Sequence, residues 1–363
     1  SVLTAFTLGY LFSNVFGGIL TRKFDPKKVV VWMMGFWSVL TIVTGFITSV
    51  AALYVFRFLL GAAEGVYWPQ QSRFASEWFS KKELSRANSV IQYYGQYLAL
   101  ALGFIVLTPI YDAFNWHVLF VITGLIGVVI IVPLYIKNLG AEADAPYAIV
   151  HTGKTPRLTL RAMGGAPFFL LLFAYIAQGM LFWGITLWLP TAVKSIGFTG
   201  YAQGFASALP YIAAIVLAIP MTIISDRTGK RTAIATMGLV VAGILLMLLS
   251  QVRNSYAMLA LITVAVGFWA ASFTPNIWTI IQSSVEPDAV GPASGIINGC
   301  GAGGGGTIAG YIVGLLYKST HSYMAGFIVL GGIVVCGGIA LTIFGRIKAK
   351  EKKRRLAAGQ TET

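Results

Sequence analysis

Charge is scarce in this sequence: 10% of its 363 residues are charged, where a soluble domain carries about 25%. Apolar residues make up 57%, and the mean hydropathy is +0.78. That balance excludes a soluble enzyme, a nucleic-acid-binding domain and a disordered chain. Cysteine is scarcer still. Cys300 and Cys336 both sit in apolar stretches, too few for a disulfide framework or a zinc site. The three histidines, His117, His151 and His321, are far apart and lie at the ends of apolar stretches or between them. A metal centre is not expected. No Ser/His/Asp or Cys/His set shares a location, so neither enzyme chemistry nor a cofactor is expected.

What the chain does have is long apolar runs. A helix crosses a bilayer with about 20 predominantly apolar residues. On that criterion spans fall near 1–20, 29–48, 50–72, 87–109, 117–136, 167–190, 202–224, 232–251, 255–284, 290–316 and 323–345. An outer-membrane barrel would instead need short alternating segments. The expected fold is therefore an all-α membrane protein of eleven spans, seated in a lipid bilayer.

The basic residues orient it. With the connections numbered alternately, 22 of the 26 Lys and Arg fall on one side and three (Lys194, Arg253 and Lys318) on the other, leaving Arg57 within a span. The rich side is read as cytoplasmic. It holds the tail 346–363, so the C-terminus is expected inside, in a plasma membrane or bacterial inner membrane. The net charge of +14 is thus a topology signal, and no nucleic-acid partner is expected. Counting back from that tail puts Ser1 outside, at the start of an apolar helix. One further upstream helix, giving twelve spans with both ends inside, is the expected parent architecture.

The long connection 137–165, rich in Ala, Gly, Pro and charge, divides the chain into bundles at 1–136 and 166–345. Two short basic loops, Gly17 to Lys28 and Ile224 to Arg231, resemble each other across that divide. Internal duplication with a midplane site between the halves is a transporter signature. The run Gly299–Gly306 contains G-x-G-x-x-G, but it follows no strand and lies inside a span. Small residues four apart, such as Gly306, Gly310 and Gly314, suit close helix crossing instead.

The stretch Asp226-Arg227-Thr228-Gly229-Lys230-Arg231 resembles the loop signature of the major facilitator superfamily. The first loop departs from that pattern, with Arg22 at the Asp position and Asp25 at the Gly position. Arg57-Phe58-Leu59-Leu60-Gly61-Ala62-Ala63-Glu64-Gly65, followed by Pro69, Trp78-Phe79 and Arg86-Ala87, is similar to the anion:cation symporter branch. That branch includes hexuronate, galactonate and tartrate carriers and relatives of vesicular glutamate transporters. The resemblance implies two pseudo-symmetric six-helix bundles, the first here lacking its first helix, and import of a small organic anion with protons. It also implies a gating latch at Asp226 and Arg227, and a substrate contact at Gln96. An organophosphate/phosphate antiporter would need more cavity cations than Arg57. A non-transporting nutrient sensor of the same fold would usually add a longer signalling tail.

Within the spans, Glu64 is the one deep carboxylate and Arg57 the one deep cation, seven residues apart on one helix face. A charge at the bilayer centre costs at least about 2.5–3.5 kcal/mol, so both are expected to face a cavity or partners. Glu64 in a partly dehydrated cavity would load and release the coupling proton. The fork of Arg57 suits a carboxylate. Tyr10, Gln96, Asn276 (after the kink-forming Pro275) and Asn298 are further candidates to bind substrate, whereas Trp183 reads as packing or interface. The protein is expected to act as a monomer.

Overall fold

In the computed structural model the described residues form helices joined by turns and short connections. The structure describes residues 2–107, 110, 113–148 and 158–357. The middle of the 137–165 connection, with His151, Lys154 and Arg157, lies outside the described residues, as do Asp112 and Glu362. In chain order the helices are α1 (Val2–Leu20), α2 (Pro26–Thr44), α3 (Val50–Trp78), α4 (Leu84–Leu107) and α5 (Trp116–Asp144, which includes a short following turn). The second group comprises α6 (Phe168–Ser195), α7 (Gly200–Thr228), α8 (Arg231–Gln251), α9 (Ser255–Ser284), α10 (Pro287–Thr320) and α11 (Tyr323–Arg354). Ten of these, α2 to α11, are long and apolar enough to cross a membrane among the described residues. The uncharged α1 packs along α3 and α10 as the eleventh helix of the bundle.

Local chemistry sets the ends. The Asp25 carboxylate accepts the Lys27 backbone N–H at 2.8 Å and Pro26 opens the first turn, so α2 starts earlier than its apolar run suggests. α7 stops at Gly229, whose φ of 66° is the left-handed cap that glycine adopts freely. α9 breaks at Phe273, just before Pro275, into Ser255–Ser272 and Thr274–Ser284.

Burial separates the layers. In α6 and α9, 61% of the membrane window is buried, whereas in α5 the share is 6%. The first two are therefore central and α5 faces outward. α1 and α3 pack closely because glycines line their seam. A Cβ on Gly61 would lie 2.0 Å from the Phe6 carbonyl oxygen, and one on Gly9 would lie 2.1 Å from that of Phe58. Side chains there would force the helices apart.

The halves α1–α5 and α6–α11 meet along α1 with α10 and α4 with α7. At the basic end the contact is polar and buried. Asn88 Nδ2 donates to Gln282 Oε1 (2.8 Å) and Thr279 Oγ1 (3.0 Å). Gln282 Nε2 donates to the Ser72 carbonyl (3.1 Å), and the Ser294 hydroxyl reaches that of Ser72 (2.8 Å). At the opposite end the halves touch through the Thr7 and Thr307 hydroxyls (2.7 Å) and the Phe104 and Tyr211 rings (6.0 Å). Two grooves open beside those contacts, one past Thr7, Trp188 and Tyr311, the other past Phe104, Tyr201 and Phe205.

Candidate functional site

A small cavity lies between the halves, walled by α1, α3, α4, α6, α9 and α10. Its volume of about 50 Å3 leaves room for a few waters. Of the sequence-derived candidates, Tyr10, Gln96 and Asn298 line it. Asn298 is the hub. Its Oδ1 accepts the Tyr175 hydroxyl at 3.0 Å, and its Nδ2 donates to the Tyr10 hydroxyl at 2.8 Å and to Asn14 Oδ1 at 2.9 Å. All four side chains are buried, so each polar atom needs such a partner. The network joins α1 of one half to α6 and α10 of the other.

The glycine run makes this approach possible. Gly299–Gly305 forms π-helical turns within α10. A Cβ on Gly301 would fall 2.3 Å from the Tyr175 ring, and one on Gly303 would fall 2.8 Å from Leu11 Cβ. The run is thus a packing device, as its spacing suggests.

Aromatic rings form most of the remaining wall. Trp68 of α3 and Trp278 of α9 stack across the interface at 5.9 Å, with 10° between their planes. Tyr93 accepts the Trp278 indole N–H and stacks on Tyr97, whose hydroxyl donates to Thr274 Oγ1 at 3.2 Å. Trp183 also lines the cavity, contrary to its reading as packing or interface. The Gly306 position gives its ring space, since a Cβ there would lie 2.7 Å from Trp183 Cδ1. Periodicity could not reveal that, because the glycine belongs to a helix over a hundred residues away.

Glu64 and Arg57 stand beside the cavity rather than on its wall. The glycines on either side of Glu64, Gly61 and Gly65, bring α3 against the Tyr10 and Asn14 backbone of α1. The Arg57 guanidinium lies 4.8 Å from the centre of the Phe120 ring of α5, and its Nε is buried without a partner. The cation–π contact offsets part of the cost of placing the charge there. Arg57 is therefore not brought to the same wall as Gln96 and Asn298.

Asn276 does not reach the cavity. It is fully buried, bonded to Ser225 Oγ of α7 and donating to the Ser272 carbonyl at 2.7 Å. The Pro275 break turns it toward α7, where it ties two helices of the same half. Arg227 is also displaced from its expected role: its side chain is exposed and in no ion pair among the described residues. One residue along, Asp226 points inward and caps the first turn of α4, accepting the backbone N–H groups of Ser85 (3.3 Å) and Arg86 (3.1 Å). Its cationic partners are Arg86 and Arg231, each at 3.3 Å. Arg231 also donates to the Lys81 carbonyl, so the two halves are joined by both charges.

Sequence reasoning missed a second buried cluster at this end. Arg73 is held by Glu142 at 2.8 Å and Glu77 at 3.7 Å, and it donates to the Thr21 and Phe24 carbonyls. Glu142 comes from the connection after α5, whose Tyr147 N–H also bonds the Glu77 carbonyl at 2.9 Å. The first basic loop is thus fastened through Arg73, while Asp25 caps its own helix.

The sequence matches the model of the Major Facilitator Superfamily over residues 1–302 and 193–362. It is 26% identical to the probable sulfoacetate transporter SauU of Cupriavidus necator over 93% of this chain and 83% of that protein. It is 25% identical to the probable galactarate/D-glucarate transporter GarP of Escherichia coli K12, over 97% and 87% respectively. Among solved structures, the Escherichia coli fucose:proton symporter FucP superposes with a TM-score of 0.72 at 14% identity. That match covers 95% of this chain and 89% of FucP.

Proposed function

The chain belongs to the Major Facilitator Superfamily, and from that premise we propose that it carries a small organic anion across the membrane by alternating access, driven by protons. It is an integral membrane protein of a transport family and not an enzyme. Relatives named as sulfoacetate and galactarate/D-glucarate transporters support the substrate class. The basic end is cytoplasmic in this reading, with the protein acting as a monomer in a plasma or bacterial inner membrane.

One observation supports the mechanism: a deep carboxylate and a deep cation share a face of α3, which packs at Gly61 and Gly65 on the stretch of α1 that brings Tyr10 to the cavity. Arg57 provides the attraction for the anion, and Gln96, Tyr10 and Asn298 its polar contacts. Proton uptake by Glu64 removes a negative charge near the anion path and so favours anion entry. Release on the other side restores repulsion. Substrate and proton then raise each other's affinity by the same factor. Asp226, with Arg86 and Arg231, holds the basic end shut between cycles.

The test uses the full-length protein in liposomes. Glu64→Gln mimics the protonated form, so it should still exchange labelled galactarate or sulfoacetate down a gradient but lose accumulation driven by a pH difference. Accumulation by Glu64→Gln under a pH difference alone would refute Glu64 as the coupling group. Absence of any organic-acid exchange by the parent would refute the substrate class.

A further inference from the structure

The cavity wall divides into polar groups that already have partners and groups that have none. Asn298, Tyr10 and Tyr175 are engaged with one another, Tyr93 with the Trp278 indole N–H, and Thr274 with the Ala270 carbonyl. The Trp269 and Trp183 indole N–H groups, from α9 and α6, are buried without a partner, and Trp269 is only 1% exposed. Both rings line the same cavity and both pack on Phe182, at 6.2 and 5.4 Å. Gln96 and Gln178, also on the wall, make no hydrogen bond among the described residues.

An indole N–H can only donate. A buried donor with no acceptor is costly, so two of them in one cavity point to an acceptor supplied by the cargo. The free inventory is therefore rich in donors, with the two amide oxygens as its acceptors. A polyhydroxylated chain fits that inventory poorly, because each of its hydroxyls brings a donor that needs an acceptor of its own. A carboxylate fits, since it only accepts. The rest of the wall consists mainly of ring faces, among them Trp68, Tyr97 and Phe182, which favour a flat apolar body over a hydrated one.

We infer that the Trp183 and Trp269 N–H groups bind a carboxylate of the cargo, and that the preferred cargo is an aromatic carboxylate with its ring between the cavity's aromatic faces. This rests on the reading of the chain as an organic-anion carrier and narrows it. The ligand enters when the halves separate, because the closed cavity holds only a few waters.

The experiment compares terephthalate with galactarate, which has the same charge and similar length but carries hydroxyls in place of a ring. Binding to the purified full-length protein is followed by calorimetry, and uptake is followed in liposomes. Terephthalate should bind at least about ten-fold more tightly. Trp183→Phe and Trp269→Phe keep a ring and remove only the N–H. Each should weaken terephthalate about ten-fold, the scale of one hydrogen bond to a charged group, with a melting temperature of the unliganded protein no lower than the parent's. Tighter binding of galactarate would overturn the aromatic preference while leaving the organic-anion reading intact. Terephthalate binding unaltered by both Phe variants would overturn the indole contact. Failure of both acids, and of sulfoacetate, to bind or move would overturn the underlying reading itself.

Discussion

Replacing Asp226 by Asn tests how the basic end is held shut. The side chain of Asp226 is 4% exposed, while those of its partners Arg231 and Arg86 are 18% and 49% exposed. The Arg86 contact is open to water and contributes little, as solvated ion pairs do. The stronger part is the carboxylate on the first turn of α4, where it accepts two backbone N–H groups and meets the positive end of the helix dipole. A capping side chain contributes about 0.5–2 kcal/mol. Asn keeps one carbonyl oxygen, so it retains the cap but loses the charge. A loss of about 1–2 kcal/mol follows for the state closed at this end, a factor of roughly 5–30 in its population. Hydrogen exchange read by mass spectrometry should show peptides covering residues 84–88 and 70–78 exchanging faster by about that factor, with the parts of α6–α11 away from this end unaltered. Turnover should slow while equilibrium ligand affinity stays nearly constant. Unaltered exchange at 84–88, or a large loss of affinity in a folded variant, would refute the latch.

Gly61→Ala should lower the melting temperature, since the added Cβ would lie 2.0 Å from the Phe6 carbonyl oxygen. Overpacking of this kind costs about 1–3 kcal/mol, and a melt of the purified protein would detect it. Asn276→Ala should destabilise the second half by about 1–3 kcal/mol by leaving Ser225 unpartnered, yet leave ligand affinity measured by calorimetry unchanged; an affinity loss larger than two-fold would contradict its place outside the cavity. Arg57→Lys keeps the charge but removes the planar fork that suits a carboxylate. It should weaken anion binding about ten-fold, and parent-like affinity would count against the fork.

The fold was largely legible because the bilayer imposes one length on every apolar helix, and a run of that length has few other uses. The boundaries were less so. The third span continues past 72 to Trp78 because Arg73 is paired both with Glu77 one turn on and with Glu142, a partner 69 residues from Arg73. A hydropathy reading sees two charges and ends the helix early. The site divides the same way. Asn298 was legible as an isolated polar residue in an apolar helix, where a partner or a cavity is obligatory, Tyr10 as a polar group within the first span, and Gln96 through the family resemblance. Asn276 satisfies the same rule with a neighbouring helix instead, and one sequence cannot say which. Arg227 closes the last turn of α7 and Arg231 opens α8, and only the direction of the chain after Gly229 decides which of them turns toward Asp226. Trp183 was misread because its exposure to the cavity depends on a glycine in another helix.

The glycine run in α10 has a mechanical consequence. Along Gly299–Gly305 this helix offers almost bare backbone to α1 of one half and to α6 of its own. Helices usually interlock by ridges of side chains lodged in grooves, and sliding one past another means climbing over those ridges. Here the ridge is missing on one side, so the seam behaves as a smooth bearing. A shift of α1 along this seam would meet few interlocking side chains, and the groups that would have to exchange partners are the polar ones beside it, Asn298 with Tyr10 and Asn14.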